Sequence, residues 1–269
     1  MRQLFARIHL PFVVAMIALL TQLIVATPSA TLAADAWVDT RSVGPFVCQA
    51  TFPLAECDPL LVELPELQRE LTRTLGVPAA RNPIGIYLFS NAAQHQAYIE
   101  QHFPNVPYRR ALFVKEGDQA GVYAYRHVEL DVDLRHECTH ALLHGVLPVV
   151  PLWLDEGLAE YFEVPAAQRA FDHPHYEALR WNLRLGMVQN IESLENRTEL
   201  AEMGSFDYRY SWAWVHFMLH GPKAAHRTLV TYLANIQNGA PPGRLSEQLA
   251  KAVPDPTERM IQHFKHWRD

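Results

Sequence analysis

The chain has 269 residues, 49% hydrophobic and 19% charged, with 19 Pro and 12 Gly, which excludes both an acidic disordered tail and a collagen-like repeat. Its 23 Lys and Arg against 29 Asp and Glu give a formal charge of −6 with no conspicuous basic run, so nucleic acid is not an expected partner. A chain of this length can bury a sizeable core as one two-lobed domain or as two small ones.

Residues 1–33 read as a signal peptide. Arg2 and Arg7 precede an apolar stretch from Leu10 to Ala26, and Thr31-Leu32-Ala33 then offers a small-residue cleavage site. Cleavage there removes two positive charges and no negative ones, leaving a more acidic protein that is exported, either periplasmic or secreted. Left uncleaved, the same stretch is a membrane anchor near the lower length limit for a span, and membrane contact is expected only in that case. In an oxidising compartment, Cys48 and Cys57 are close enough in sequence to form a disulfide. Cys138 falls inside a helix and reads as a small core residue.

After the leader, Pro45 to Thr51 reads as a strand and Leu60 to Leu75 as an amphipathic helix ended by Gly76. Pro83 to Ser90 is a second strand, rich in β-branched and aromatic residues, and Asn91 to His102 a polar helix. Ala111 to Val114 and Gly121 to Tyr125 flank the turn-rich Lys115-Glu116-Gly117-Asp118 as a hairpin, with Val128 to Val132 continuing or adding a strand. Beyond Leu134 the chain reads mainly as helices, among them 152–163, 177–185, 210–219 and 225–236. The expected class is α+β: a sheet-plus-helix lobe over residues 34–147 that ends in the active-site helix, and a helical lobe over residues 148–269.

The informative stretch is His136-Glu137-Cys138-Thr139-His140, an H-E-x-x-H pattern in a helix that Asp133 can cap, Gly145 can end and Pro148 prevents from continuing. At about 100° per residue, His136 lies at 0°, His140 at about 40° and Glu137 at about 100°, while Leu134, Cys138, Ala141 and Leu142 fall between about 140° and 240°. Ligands and core therefore occupy opposite faces. The two imidazoles can reach one ion, and Glu137 is turned aside far enough to address a water instead. His144, two turns beyond His136, is about 12 Å away along the helix axis and reads as a non-ligand.

A second helix, starting near Pro151, carries Glu156 and Glu160 at i and i+4 among Trp153, Leu158 and Phe162. Two acids on such a face are costly to bury unpaired. A zinc ion satisfies both if Glu156 is the third ligand and Glu160 accepts the free N–H of a ligand imidazole. Asp155 and Glu163 read as surface residues.

Together with Trp153-Leu154-Asp155-Glu156-Gly157-Leu158-Ala159-Glu160-Tyr161, the H-E-x-x-H segment resembles the gluzincin metallopeptidases, specifically the peptidase-MA-like group that includes exported bacterial proteins. The resemblance is specific over residues 128–163 and weak over 45–90 and 208–212. It implies a zincin-like fold, one zinc per chain, and hydrolysis of peptide or protein substrates with Glu137 as general base. It also implies that a Tyr donates to the developing oxyanion, Tyr208 before Tyr210. The fold so implied sets a hairpin edge over the cleft, where 111–114 or 121–125 can pair with an extended peptide. One departure is that fifteen residues separate His140 from Glu156, fewer than in aminopeptidase-type or thermolysin-like members, so the connection is compact. The metzincin pattern is excluded, because Leu143 and Val146 stand where it needs a Gly and a third His. The competing function is a catalytically inactive zincin-fold binding protein of the cell envelope. The intact Glu137 favours the enzyme, since holding zinc needs only the three ligands.

Overall fold

Asp39–Val43 (β1) and Phe46–Ala50 (β2) form an antiparallel hairpin at the start of the computed structural model, which describes residues 37–267. The expected signal peptide and its cleavage site lie outside the described residues. A single 3-10 turn leads into Asp58–Leu75 (α1), whose apolar stripe of Leu60, Leu61, Leu64, Leu67, Leu71 and Leu75 is buried. Gly76 ends the helix with φ +72°, a left-handed conformation that costs a residue without a side chain little. Ile84–Phe89 (β3) follows, then Ala92–His102 (α2), where the Asn91 side chain caps the helix by accepting from the Gln94 N–H. Ala111–Glu116 (β4) and Gln119–Tyr125 (β5) form the second hairpin.

The sheet order is β1-β2-β3-β5-β4, parallel where β2 meets β3 and β3 meets β5, and antiparallel at both ends. The parallel pairs require crossovers, and α1 and α2 supply them. Because side chains alternate along a strand, Cys48, Ile86 and Val122 face the main core while Tyr87, Phe89 and Tyr123 face α2. The mixed sheet followed by helices is the expected α+β arrangement.

Leu130–His144 (α3) carries the H-E-x-x-H pattern across this sheet. It begins a turn earlier than Asp133 suggested, with Glu129 at the cap position, so the strand expected over 128–132 does not form. Asp131 and Asp133 in its first turn suit the positive end of the helix dipole, and Asp133 also binds Arg110. The helical remainder comprises Leu152–Phe162 (α4), the short Ala166–Arg169 (α5), His175–Arg184 (α6), Ile191–Glu195 (α7), Ser205–His220 (α8), Lys223–Gln237 (α9), Leu245–Ala252 (α10) and Pro256–His266 (α11). One hydrophobic core runs from Phe46 in β2 through Trp153 and Trp212 to Phe264 in α11.

Cys48 and Cys57 depart from expectation: both are buried free thiols, and the anticipated bridge is absent. Cys48 points with Phe46 and Ala50 into the sheet core, where burial pushes its thiol up to about 12, so both it and Cys57 act as small apolar residues. Cys138 is a buried core residue. Among the described residues no helix is long and apolar enough to cross a membrane.

Candidate metal centre

Two helices build the site. α3 presents His136 and His140 on one face, and their rings meet edge to face with centroids 4.9 Å apart. α4 presents Glu156 opposite them, and its position depends on Gly157. A Cβ on Gly157 would lie 2.6 Å from the Ser211 carbonyl oxygen, so only glycine lets α4 approach the α8 backbone this closely. Glu156 is consequently buried to 6% exposure beside His140 at 7%.

The Glu156 carboxylate lies 3.6 Å from His136 Nε2 and 3.9 Å from His140 Nε2. Ligand atoms of these three residues fall within 4.8 Å of one another. A tetrahedral ion with bonds of about 2.0–2.1 Å separates its ligand atoms by about 3.4 Å, so the two carboxylate–imidazole spacings need shifts of only a few tenths of an ångström to accept such an ion. The donor set therefore fits a divalent metal.

The back side of each imidazole is held by an acid, though not by the one expected. His136 Nδ1 donates to Glu163 at 3.0 Å. His140 Nδ1 lies 3.1 Å from Asp155 Oδ2, close but poorly aligned for a linear hydrogen bond, and His144 Nε2 binds the same oxygen at 2.8 Å. Glu160, assigned to this task from sequence, instead accepts from His175 Nε2 at 2.7 Å. Asp155 and Glu163 are thus not surface residues. Spacing held a clue to one of them: Glu163 follows Glu156 by seven residues and returns to within about 20° of its face, nearer than Glu160 at about 40°. Nothing in the sequence marks Asp155.

With an acid behind Nδ1 of each ring, Nε2 of both is the nitrogen that faces Glu156. The charges around them fit a cation. Burial alone lowers an imidazole pKa, yet the adjacent carboxylates of Glu156 and Glu163 lift His136 well above its usual range. At His140, Asp155 likewise outweighs burial and raises the pKa. Asp155, despite its own burial, is held well below the usual carboxylate range by His140 and His144. Two further sets, His140 with His144 and Asp155, and His136 with Glu160 and Glu163, are similarly close. In the first, His144 Nε2 and His140 Nδ1 both approach Asp155; in the second, Glu163 is bonded to His136 Nδ1 and Glu160 to His175.

Glu137 is half-buried, makes no hydrogen bond or ion pair among the described residues, and lines a cleft of about 600 Å³ together with His136, His140 and Glu156. Leu112 and Phe113 of β4 form part of its wall. β4 is an edge strand and β5 lies between β3 and β4, so of the two segments considered for strand addition only Ala111–Glu116 has an open side. Tyr208, at the start of α8, lies near Arg109 of the cleft wall and senses the charge of Glu156; burial first, then that charge, pushes its hydroxyl up to about 12. Tyr210 is fully buried and donates to the Met187 carbonyl, which removes it as an alternative to Tyr208.

No family model matches the chain, and no curated protein matches it. Among solved structures, the chain is similar to an M1 zinc metallopeptidase from Deinococcus radiodurans, with a TM-score of 0.47 and 16% identity over 86% of this chain and 51% of the other. A point mutant of that enzyme gives a TM-score of 0.48 and 15% identity over the same shares. The chain therefore spans about half the length of the structures it matches.

Proposed function

We propose that the protein is an exported zinc-dependent peptidase that binds one zinc ion through His136, His140 and Glu156. The observation that carries the reading is the convergence of two oriented imidazoles and one buried carboxylate, with Glu137 free beside them in an open cleft. A nitrogen and oxygen donor set of this kind suits zinc and leaves a fourth position open. Zinc bound there supplies Lewis acidity, lowering the pKa of water and polarising a carbonyl.

The remaining chemistry belongs to the chain. Glu137 orients the attacking water, accepts its proton and returns it to the departing amine. Tyr208 keeps its proton at neutral pH and donates to the oxygen that gains charge as the carbonyl is attacked. Asp155 and Glu163 keep the ligand rings in one tautomer. The open side of β4 offers backbone donors and acceptors to an extended peptide.

The test is metal analysis of protein purified without added metal, together with cleavage of a mixed peptide set by wild type and Glu137→Gln. The expected result is about one zinc per chain in both proteins and a roughly 10²–10⁴-fold loss of turnover in the variant. Equal turnover in the two would remove the peptidase reading. Zinc without any turnover would leave the binding-protein alternative. Export is checked separately: the isolated protein should begin near Ala34.

A further inference from the structure

The cleft wall contains one cationic residue. Val106, Pro107, Leu112, Phe113 and Leu152 make most of the surface around the ligands apolar, and Arg109 is the single Lys or Arg among the lining residues. It directly precedes Arg110, and the two are used differently. Arg110 is committed to the fold: its Nε and Nη2 donate to Asp133 at 2.7 and 2.8 Å and its Nη1 to Glu129 at 2.5 Å. Arg109 is exposed and has no carboxylate partner among the described residues. Its guanidinium lies near enough to the Tyr208 hydroxyl to influence it electrostatically.

A guanidinium carries five donors in a planar fork, and one phenol oxygen leaves most of them unused. That fork matches a carboxylate in two parallel hydrogen bonds. The rest of the site is acidic, with Glu137, Asp155 and Glu156 along the same cleft. With zinc held by His136, His140 and Glu156, Arg109 is the one further cation along the cleft, while Glu137 and Asp155 repel a carboxylate, so Arg109 is the protein group that can receive a substrate carboxylate away from the metal. An unpaired cation serving only the fold would gain more by pairing as Arg110 does.

We propose that Arg109 is the specificity-determining residue of this cleft, receiving a substrate carboxylate next to the scissile bond and selecting acidic peptides. The proposal rests on the peptidase reading above. The carboxylate can come from an Asp or Glu side chain or from the substrate's own C-terminus, and the chemistry at Arg109 is the same in both cases.

The experiment compares kcat/KM for matched peptides that carry Glu, Ala or Lys near the cleaved bond, each with a free or an amidated C-terminus. Wild type should prefer the carboxylate-bearing member of a pair by on the order of tenfold or more, the contribution expected of a charged hydrogen bond. Arg109→Ala should bring that ratio close to one, Arg109→Lys should keep part of it, and Arg109→Glu should turn the preference toward Lys peptides. Loss confined to amidated substrates assigns the C-terminal carboxylate, and loss confined to Glu→Ala substrates assigns the side chain. Zinc content and thermal midpoint, unchanged in these exposed-site variants, verify folding. If Arg109→Ala slows all peptides equally and leaves the ratio as in wild type, Arg109 only steadies Tyr208 and the proposal is overturned. Absence of Glu137-dependent turnover of any peptide is a different result, which removes the peptidase reading and this inference with it.

Discussion

Two groups of histidines lie withdrawn from water in this molecule, and their surroundings set them to opposite tasks. His136 and His140 face Glu156, Glu163 and Asp155, and these acids raise both imidazoles above their ordinary range against the pull of burial. His173, His216, His220 and His263 pack among α4, α6, α8 and α11, where burial leads and no comparable acid answers it. His173 and His263 fall to about 4, His216 falls well below its ordinary value, and His220 is lowered as well. Their partners are backbone carbonyls, aromatic rings, one another and, for His220, the Tyr161 hydroxyl. His216 Nε2 donates to the Ala170 carbonyl at 3.0 Å, His173 Nε2 donates to the Glu160 carbonyl at 2.8 Å, and His173 stacks on Trp212. A buried imidazole is thus poised for a cation or set as a packing group according to whether carboxylates stand beside it, a distinction that residue type does not make.

Experiments can break this contrast at several points. The largest effect is expected for Glu156→Ala, which removes the carboxylate closing the ligand set and should reduce zinc from about one per chain to near zero by elemental analysis. Retention of stoichiometric zinc would move the site elsewhere. Next, Asp155→Asn takes the charge from behind His140 and should weaken zinc about 10–100-fold in a chelator competition, with Glu163→Gln acting in the same direction through His136. An affinity within twofold of wild type would return Asp155 to the surface role its sequence suggests.

Smaller effects are expected on the packing side. Gly157→Ala should cost about 1–3 kcal/mol in urea unfolding, because the added methyl meets the Ser211 carbonyl at 2.6 Å and forces α4 from α8. It should also weaken zinc, since Glu156 is the preceding residue, whereas His216→Leu should lower stability by about 1–3 kcal/mol through the unpaired groups it leaves and spare zinc affinity. A tenfold loss of zinc affinity in His216→Leu would erase the division between the two groups. The smallest effect is a slope. His173 and His263 titrate near 4 in the folded chain and near 6.5 unfolded, so between those values the unfolded chain binds more protons. Stability is therefore fully present above about pH 6.5 and falls as the pH drops toward 4; His173→Gln should flatten that fall in urea midpoints measured across the window.

Much of this was readable one segment at a time. The H-E-x-x-H helix, the Glu156 helix and the central strands each carry their own periodicity, and the helix breakers around them are local. β1 was not anticipated, because Asp39-Thr40-Arg41-Ser42-Val43 has almost no apolar signature and is a strand only because β2 offers it an antiparallel partner. Glu160 and Glu163 show where phase on one helix stops being informative. Both lie near the Glu156 face, and the angle at which α4 crosses α3 gives Glu163 to His136 while His175, arriving from α6, takes Glu160.

Chain order alone determined that His136 and His140 are presented together, since imidazoles four residues apart on a helix share a face whatever surrounds them. Only the packed fold decided that Asp155 supports His140, that Tyr210 turns into the core while Tyr208 stays near Glu156, and that Arg109 enters the cleft while Arg110 does not. Those outcomes depend on contacts between segments distant in sequence, and no local periodicity encodes the crossing of two helices or the reach of a loop.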